Sequence, residues 1–425
     1  MKQFITDDIK LLYPLYYYSE NIKYDIHKEL YRGELYCNLL KVFSKSCLTN
    51  LNEKIFSHKK SSYRTITNLL SSWFFTLYQY YNFSDDPFYP TNFNYMDTLI
   101  KTIEDYWSIH NVENTKEKID KIISDLIFCY EDILKKLTNY KTNETTAIVS
   151  KKKIIQERDN VDVLFYKFNL DIKSYHHVNC NKLNNIINNI IIPIEQYNII
   201  EHRYNNIMIG KTDEMDSIIW IVLYRYQLLS SNNNQLAVLE NILEKMKIDF
   251  NLSHECFASA INGTLSSYCS IYYDVERYFG SIGSYFNVIL QKGTFSFNPP
   301  YQYDIINNGI KRMIEFLDNT SDELNFIITI PIWDLEGKKI MADNLMENNN
   351  TLIKYNDFNT INMIKNSKYF KGLRMISKDE FTYFDHNFHL YKNKTIQNTY
   401  VIVMSNNIDC NYINMINDYD FFTFT

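Results

Sequence analysis

The chain has 425 residues, 45% hydrophobic and 16% aromatic, long enough for two domains with buried cores, which excludes a disordered tail. Its formal charge of -6 argues against a sequence-independent polyanion binder, whose affinity rests on neutralising many phosphates. Seven dispersed cysteines lack any Cys-X-X-Cys spacing, so no zinc ribbon, disulfide or bound metal is expected and a reducing compartment is.

From the N terminus, no apolar signal core or membrane-length run appears, and a soluble intracellular protein is expected. The first 150 residues read as helical, with segments over Leu69 to Tyr81 and Met96 to Ile109. Ile119, Ile122, Ile123, Leu126, Ile127, Tyr130, Ile133, Leu134 and Leu137 then mark one helix face at three- and four-residue spacing. Lys151 to Lys153 read as a solvated helix start, with a phosphate contact as the rival role. Val161 to Ile172 reads as a hairpin, and Leu183 to Ile200 as a helix broken at Pro193. A boundary near 210 divides a mainly helical domain, 1–210, from a second domain, 211–425. Ile218 to Tyr224 is strongly apolar but Arg225 interrupts it, so the run through Leu229 predicts a buried helix. Asn232 to Asn234 and Asn348 to Asn350 predict surface loops.

The chain holds no Gly-X-Gly-X-X-Gly or Gly-X-X-X-X-Gly-Lys element, which excludes the usual dinucleotide and P-loop enzymes. Thr294 to Phe297 predicts a strand, Asp304 to Leu317 a helix and Asn325 to Ile330 a buried strand. Between them stands Asn298-Pro299-Pro300-Tyr301, at a strand end where ligands gather in open α/β sheets. Two prolines fix the backbone and remove two amide donors, leaving carbonyls free to accept. An exocyclic amine such as N6 of adenine is a weak nucleophile and needs acceptors for both hydrogens. The Asn298 side-chain oxygen and the Pro299 carbonyl supply them, and Tyr301 offers a stacking face worth about 1–3 kcal/mol. The tetrapeptide spells amino-group methylation.

Upstream lie Glu-Cys-Phe-Ala-Ser from Glu255, Tyr-Cys-Ser from Tyr268 and Tyr-Phe-Gly-Ser from Tyr278. Downstream come Phe326 to Trp333, with its Ile-Pro-Ile-Trp ending, and Asn398 to Val403. In this order the motifs resemble the phosphorylated CTD interacting factor family, the cap-specific adenosine N6-methyltransferases, over roughly the last two hundred residues. Fainter traces, such as Arg225-Tyr226-Gln227, precede them.

The resemblance implies an α/β fold: a Rossmann-like class I S-adenosylmethionine-dependent methyltransferase core behind an N-terminal helical domain. It implies methyl transfer to N6 of the first transcribed, 2′-O-methylated adenosine of capped RNA. Asn298, Pro299, Pro300 and Tyr301 match the catalytic loop, with Tyr for the usual Phe. Phe257, Ala258, Ser259 and Asn262 match the segment that replaces a glycine-rich cofactor loop. Asp274, Phe279, Gly280 and Ser281 match a second cofactor-side segment. The alternatives are adenine N6 methylation of DNA or internal RNA, and a non-catalytic partner that binds capped RNA.

Departures concern recognition. A WW module needs two tryptophans about twenty residues apart. Trp73, Trp107, Trp220 and Trp333 are too scattered, so the module and the polymerase recruitment it brings are expected to be missing. The loop from Phe384 to Asn398 looks longer than the family's, with Gln397 where His is expected. Cap contacts are sought among Lys167, Lys173, His176, His177 and Lys182, and for the triphosphate among Lys338, Lys339, Lys365, Lys368, Lys371 and Arg374. His176, His177, His386 and His389 are expected to be surface or RNA-contact residues, and Cys256 a small buried thiol.

Overall fold

The computed structural model describes residues 9–11, 24–50, 59–78, 86–91, 96–108, 115–141, 147–158, 160–172, 180–208, 214–229, 235–332, 360–387, 391–395 and 398–421. A short strand, β1 (Ile9–Leu11), precedes helices α1 (Ile26–Asn50), α2 (Lys59–Tyr78), α3 (Met96–Ser108) and α4 (Thr115–Thr138). The spacing read from the sequence is what buries α4: Ile119, Ile122, Leu126, Tyr130 and Ile133 face the core while Phe128 points to solvent. Aromatic rings fill the space between α1, α2 and α4, with Trp73, Phe74 and Tyr130 in mutual contact at 5.6–6.1 Å. Main chain satisfies the tyrosines there: the hydroxyls of Tyr78, Tyr89 and Tyr130 donate to the carbonyls of Phe88, Arg32 and Pro90, each at 2.8 Å.

A long antiparallel hairpin follows, β2 (Ala147–Arg158) with β3 (Val161–Ile172), and β4 (Ile191–Pro193) extends it. Asn160 turns the corner at φ 64, a conformation that asparagine tolerates. Two expectations are corrected. Val161–Ile172 is one strand rather than a whole hairpin, and Lys151 to Lys153 lie in its partner rather than at a helix start. The basic run disguised an alternating strand. Lys151 is held by Asp216 at 2.9 Å and lies over the Tyr197 ring at 4.1 Å, which ties the hairpin to the helices beside it.

Helix α5 (Asn181–Asn188) precedes β4, and α6 (Ile194–Ile207) starts directly after Pro193, so the expected break becomes a strand between two helices. Helix α7 (Met215–Leu229) is buried along nearly its whole length. No helix among the described residues is long and apolar enough to cross a membrane.

The remaining elements are β5 (Leu236–Val238), α8 (Glu240–Phe250), β6 (Leu252–Glu255), α9 (Tyr273–Glu276), β7 (Val288–Leu290), β8 (Gly293–Phe297), α10 (Tyr303–Asp318) and β9 (Leu324–Pro331), then α11 (Thr360–Lys365), β10 (Phe370–Ile376), β11 (Tyr383–Asp385), β12 (Lys392–Lys394), β13 (Thr399–Ser405) and α12 (Tyr412–Asn417). Five strands form a mixed sheet in the order β10-β13-β9-β8-β6. β6, β8 and β9 run parallel, and β13 lies antiparallel between β9 and β10. A second sheet, β12-β11-β5, flanks it, and β1 pairs with β7.

Helix α10 buries Ile305, Ile306, Ile310, Met313 and Leu317, the face its spacing predicts. Gly309 allows the close approach, since a Cβ there would sit 2.7 Å from the Phe297 ring at the end of β8. Separate apolar cores lie on the two sides of the five-stranded sheet. A third runs from Ile26 in α1 through α7 to Phe279 and Ile305 and so joins the helical layer to the sheet's loops.

Candidate active site

β6 and β8 are parallel neighbours, so their carboxyl ends open on one side of the sheet, where the chain leaves each strand into a loop. A cavity sits between those loops. Phe257, Ala258, Ser259 and Asn262 line it from the loop after β6, and Asn298, Pro299, Pro300 and Tyr301 from the loop after β8. Tyr285 and Phe286 close one side, and Tyr78, Tyr226 and Gln235 close another. Eight of the twelve residues singled out in the sequence thus meet at one place.

The loop after β6 is locked by its own side chains. Asn262 Oδ1 accepts from the Ser259 amide at 2.7 Å, and the Ser259 hydroxyl lies between Asn262 Oδ1 at 2.9 Å and Gln235 Oε1 at 3.0 Å. Arg203 on α6 donates to the carbonyls of Gly263, Thr264 and Leu265 at 2.8–3.1 Å. Phe257 packs edge-on against Phe297 at 5.2 Å, which joins the two loops at their base. Cys256 also lines the cavity, and burial holds its thiol well above 9, as an inert wall atom.

In the loop after β8 the Pro300 carbonyl accepts from the Gln302 amide at 2.6 Å. The Tyr301 hydroxyl donates to Asn298 Oδ1 at 3.4 Å, a long contact, and its ring meets the edge of Tyr383 at 5.7 Å. Tyr383 pairs with Thr399 at 3.0 Å, so the second sheet supports the tetrapeptide from behind.

The second predicted segment lies differently. Asp274, Phe279, Gly280 and Ser281 stand behind the cavity wall and not on its surface. Both Asp274 oxygens are taken by Arg225, at 2.8 and 2.9 Å, and Phe279 is fully buried in the core. Gly280 holds φ at 108, and a Cβ there would sit 2.2 Å from the Ser266 carbonyl, so the position demands glycine. The Ser281 hydroxyl bonds Ser270 at 2.7 Å, and Ser270 in turn lines the cavity.

Two carboxylates given no role in the sequence reading stand beside this wall. Glu255 at the end of β6 accepts from the Leu265 amide at 2.7 Å, and burial pushes its carboxyl up to about 7. Glu276 accepts from the Ala260 amide at 2.7 Å and the Tyr226 hydroxyl at 3.0 Å, and burial likewise pushes it up to about 7. Both sit within quoted motifs, but only the fold shows which amides they meet. His254 contacts Ser267 at 2.8 Å and Cys269 at 3.3 Å, and burial drives it down to about 3, so its imidazole is neutral.

Several expected cap contacts are occupied. Lys182 donates to the Leu228 carbonyl at 3.1 Å and is largely buried, and Arg374 donates to the carbonyls of Ile416 and Tyr419. Lys368 pairs with Asp318 at 3.0 Å at the surface. His386 is half-buried rather than fully at the surface: its ring packs on Phe384 at 4.8 Å and burial lowers it to about 4. Lys173, His176, His177, Lys338, Lys339, His389 and Gln397, with both asparagine runs, lie outside the described residues.

A family model described as "Phosphorylated CTD interacting factor 1 WW domain" matches residues 196–358. The chain is similar to that family there. The mouse (Mus musculus) protein named mRNA (2'-O-methyladenosine-N(6)-)-methyltransferase is 30% identical over 121 residues, 27% of this chain and 17% of the relative. The human (Homo sapiens) protein of the same name matches at 30% over 121 residues, with the same 27% and 17% coverage. The match therefore spans about a sixth of the length of these relatives. The expectation that the WW domain is missing is overturned by the family match, which carries that name. Tryptophan spacing was the wrong guide, because the matched span holds only Trp220 and Trp333. Its described part, α6 to β9, contains both loops of the cavity.

Proposed function

We propose that this chain is an S-adenosylmethionine-dependent methyltransferase that modifies N6 of the first transcribed adenosine in capped RNA. One observation carries the reading: the Asn-Pro-Pro-Tyr loop and the Phe257 to Asn262 loop face one cavity from adjacent parallel strands. The names of the mouse and human relatives, mRNA (2'-O-methyladenosine-N(6)-)-methyltransferase, support adenosine N6 of mRNA as the target. Three parallel strands, with an antiparallel strand beside the last, support a Rossmann-like core over 211–425 behind a mainly helical domain over 1–210.

The donor set fits the cofactor. The cavity is lined by neutral hydrogen-bonding side chains and aromatic rings, with no charged side chain on its lining. Ser259, Asn262 and Gln235 suit ribose hydroxyls, and the faces of Phe257, Tyr285 and Phe286 suit a purine and a sulfonium cation. When bound, S-adenosylmethionine supplies an electrophilic methyl group. Asn298 Oδ1 and the Pro299 carbonyl hold the two N6 hydrogens of the target base, and Tyr301 packs its ring. Positioning of this kind lowers a barrier by up to roughly 7–11 kcal/mol. Asp274, Phe279, Gly280 and Ser281 act through the wall they support.

The test is to incubate the protein and labelled S-adenosylmethionine with capped and uncapped RNAs that begin with A or G, then identify the methylated nucleoside. N6-methyladenosine at the first position of capped RNA is expected. Equal rates on capped and uncapped RNA would remove cap dependence and leave adenine methylation. No label transfer at all would remove the enzyme reading.

A further inference from the structure

The Glu276 side chain is fully buried next to the cavity without lining it. Oε1 accepts from the Ala260 amide at 2.7 Å, while Oε2 accepts from the Tyr226 hydroxyl at 3.0 Å and the Tyr272 amide at 3.2 Å. The Ser270 hydroxyl bonds it as well. Tyr226 and Ser270 line the cavity, and Ala260 follows Ser259, which also does. Three pieces of wall that are distant in sequence therefore meet on one carboxylate: α7, the turn after β6 and the segment before α9.

We propose that Glu276 is the positioning residue for the cofactor half of the cavity. It fixes Tyr226, the Ser259 to Asn262 turn and Ser270 relative to one another, and it leaves the Asn298 to Tyr301 loop to other contacts. The inference rests on the methyltransferase reading. A carboxylate accepting amide and hydroxyl hydrogens makes bonds about twice as strong as neutral ones. Its contacts are hydrogen bonds rather than an ion pair: Arg225, the cation on the adjoining turn of α7, is engaged by Glu29 and Asp274. Burying an unpaired carboxylate is costly, and what this one gains in return is the geometry of the wall.

Glu276→Gln keeps the volume but turns one acceptor oxygen into a donor facing other donors. The full chain is titrated with S-adenosylhomocysteine by calorimetry, and steady-state methylation is measured with S-adenosylmethionine and capped RNA. Measured above about pH 8, where the carboxyl that titrates at about 7 is ionised, the Kd for S-adenosylhomocysteine and the KM for S-adenosylmethionine should rise about tenfold, the loss of one charge-assisted hydrogen bond. The KM for RNA should stay within about twofold, a split that general loosening of the fold does not produce. Tyr226→Phe removes one bond and spares the carboxylate, and it should show the same split at about threefold. Unchanged affinity for S-adenosylhomocysteine in Glu276→Gln overturns the proposal, as does an equal rise in both KM values. If Glu276→Gln does not fold, Tyr226→Phe decides alone, and unchanged affinity there overturns it. A wild-type protein that binds no S-adenosylhomocysteine removes the methyltransferase reading itself, a failure distinct from a variant that binds normally.

Discussion

The Asn298 side chain lines the cavity and its oxygen accepts a long contact from Tyr301, which suits an oxygen that serves a substrate. Asn298→Ala should lower kcat by roughly 100-fold or more, the usual effect of losing one well-placed polar partner. Its Tm should stay within a few degrees of wild type, and retained turnover would end the assigned role. Tyr301→Phe keeps the ring and loses a hydroxyl bonded to neighbouring side chains, Asn298 at 3.4 Å and Tyr383 among them, so turnover should fall by no more than about tenfold. Glu255 offers a test in pH. Its carboxyl is pushed up to about 7 in the fold, so it holds its proton more tightly folded than unfolded, and its contribution to stability falls as pH rises from about 4.5 to about 7. Gln cannot ionise. Relative to wild type, Glu255→Gln should gain up to about 3 kcal/mol across that window and show a flat difference below it, as read from denaturant midpoints. Parallel curves for the two proteins would refute the buried ionisation.

At the scale of elements, the site depends on how closely α10 lies against the end of β8. Gly309→Ala places a methyl 2.7 Å from the Phe297 ring, which must shift, and Phe297 adjoins Asn298. A stability loss of about 1–3 kcal/mol is expected, together with a fall in kcat, and a thermal melt beside an activity assay checks both. The elements legible in the sequence were those whose side chains repeat with the backbone. The stripe of α4, the apolar runs of β8 and β9 and the spacing of α10 all declare their period. The hairpin was half hidden, because three lysines in β2 resemble a solvated helix turn while their strand alternates exposed and half-buried positions. Asn298 to Tyr301 and Phe257 to Asn262 were legible as motifs. The second segment was legible as a motif too, but not its place behind the wall. That place is fixed by Arg225, which sits about fifty residues away in the chain, and periodicity carries no record of such pairings.

At the scale of the molecule, Arg225 on α7 lies between Glu29 on α1, at 2.6 Å, and Asp274 on α9, at 2.8 Å. Arg32 joins Glu29 to Asp86, which it meets at 2.7 Å. Burial pushes the Glu29 carboxyl up, but Arg225 and Arg32 outweigh it and hold it below its ordinary range. Its contribution to stability is thus present above about pH 4.5 and is lost as pH falls through the folded value. Glu29→Ala leaves two buried guanidiniums short of a partner and should cost about 3–5 kcal/mol, read from urea midpoints. Glu29→Gln keeps the shape without the charge and should cost nearly as much, and a Gln variant as stable as wild type would argue against charge as the cause. Because α1 lies outside the residues that match the family, a stretch with no claim on the site by likeness is bonded to the helix that leads to Glu276. The consequence is kinetic. Amide hydrogens of α1 and of residues 272–284 should exchange with deuterium as one protected unit, opening together or not at all, although more than two hundred residues separate them in the chain.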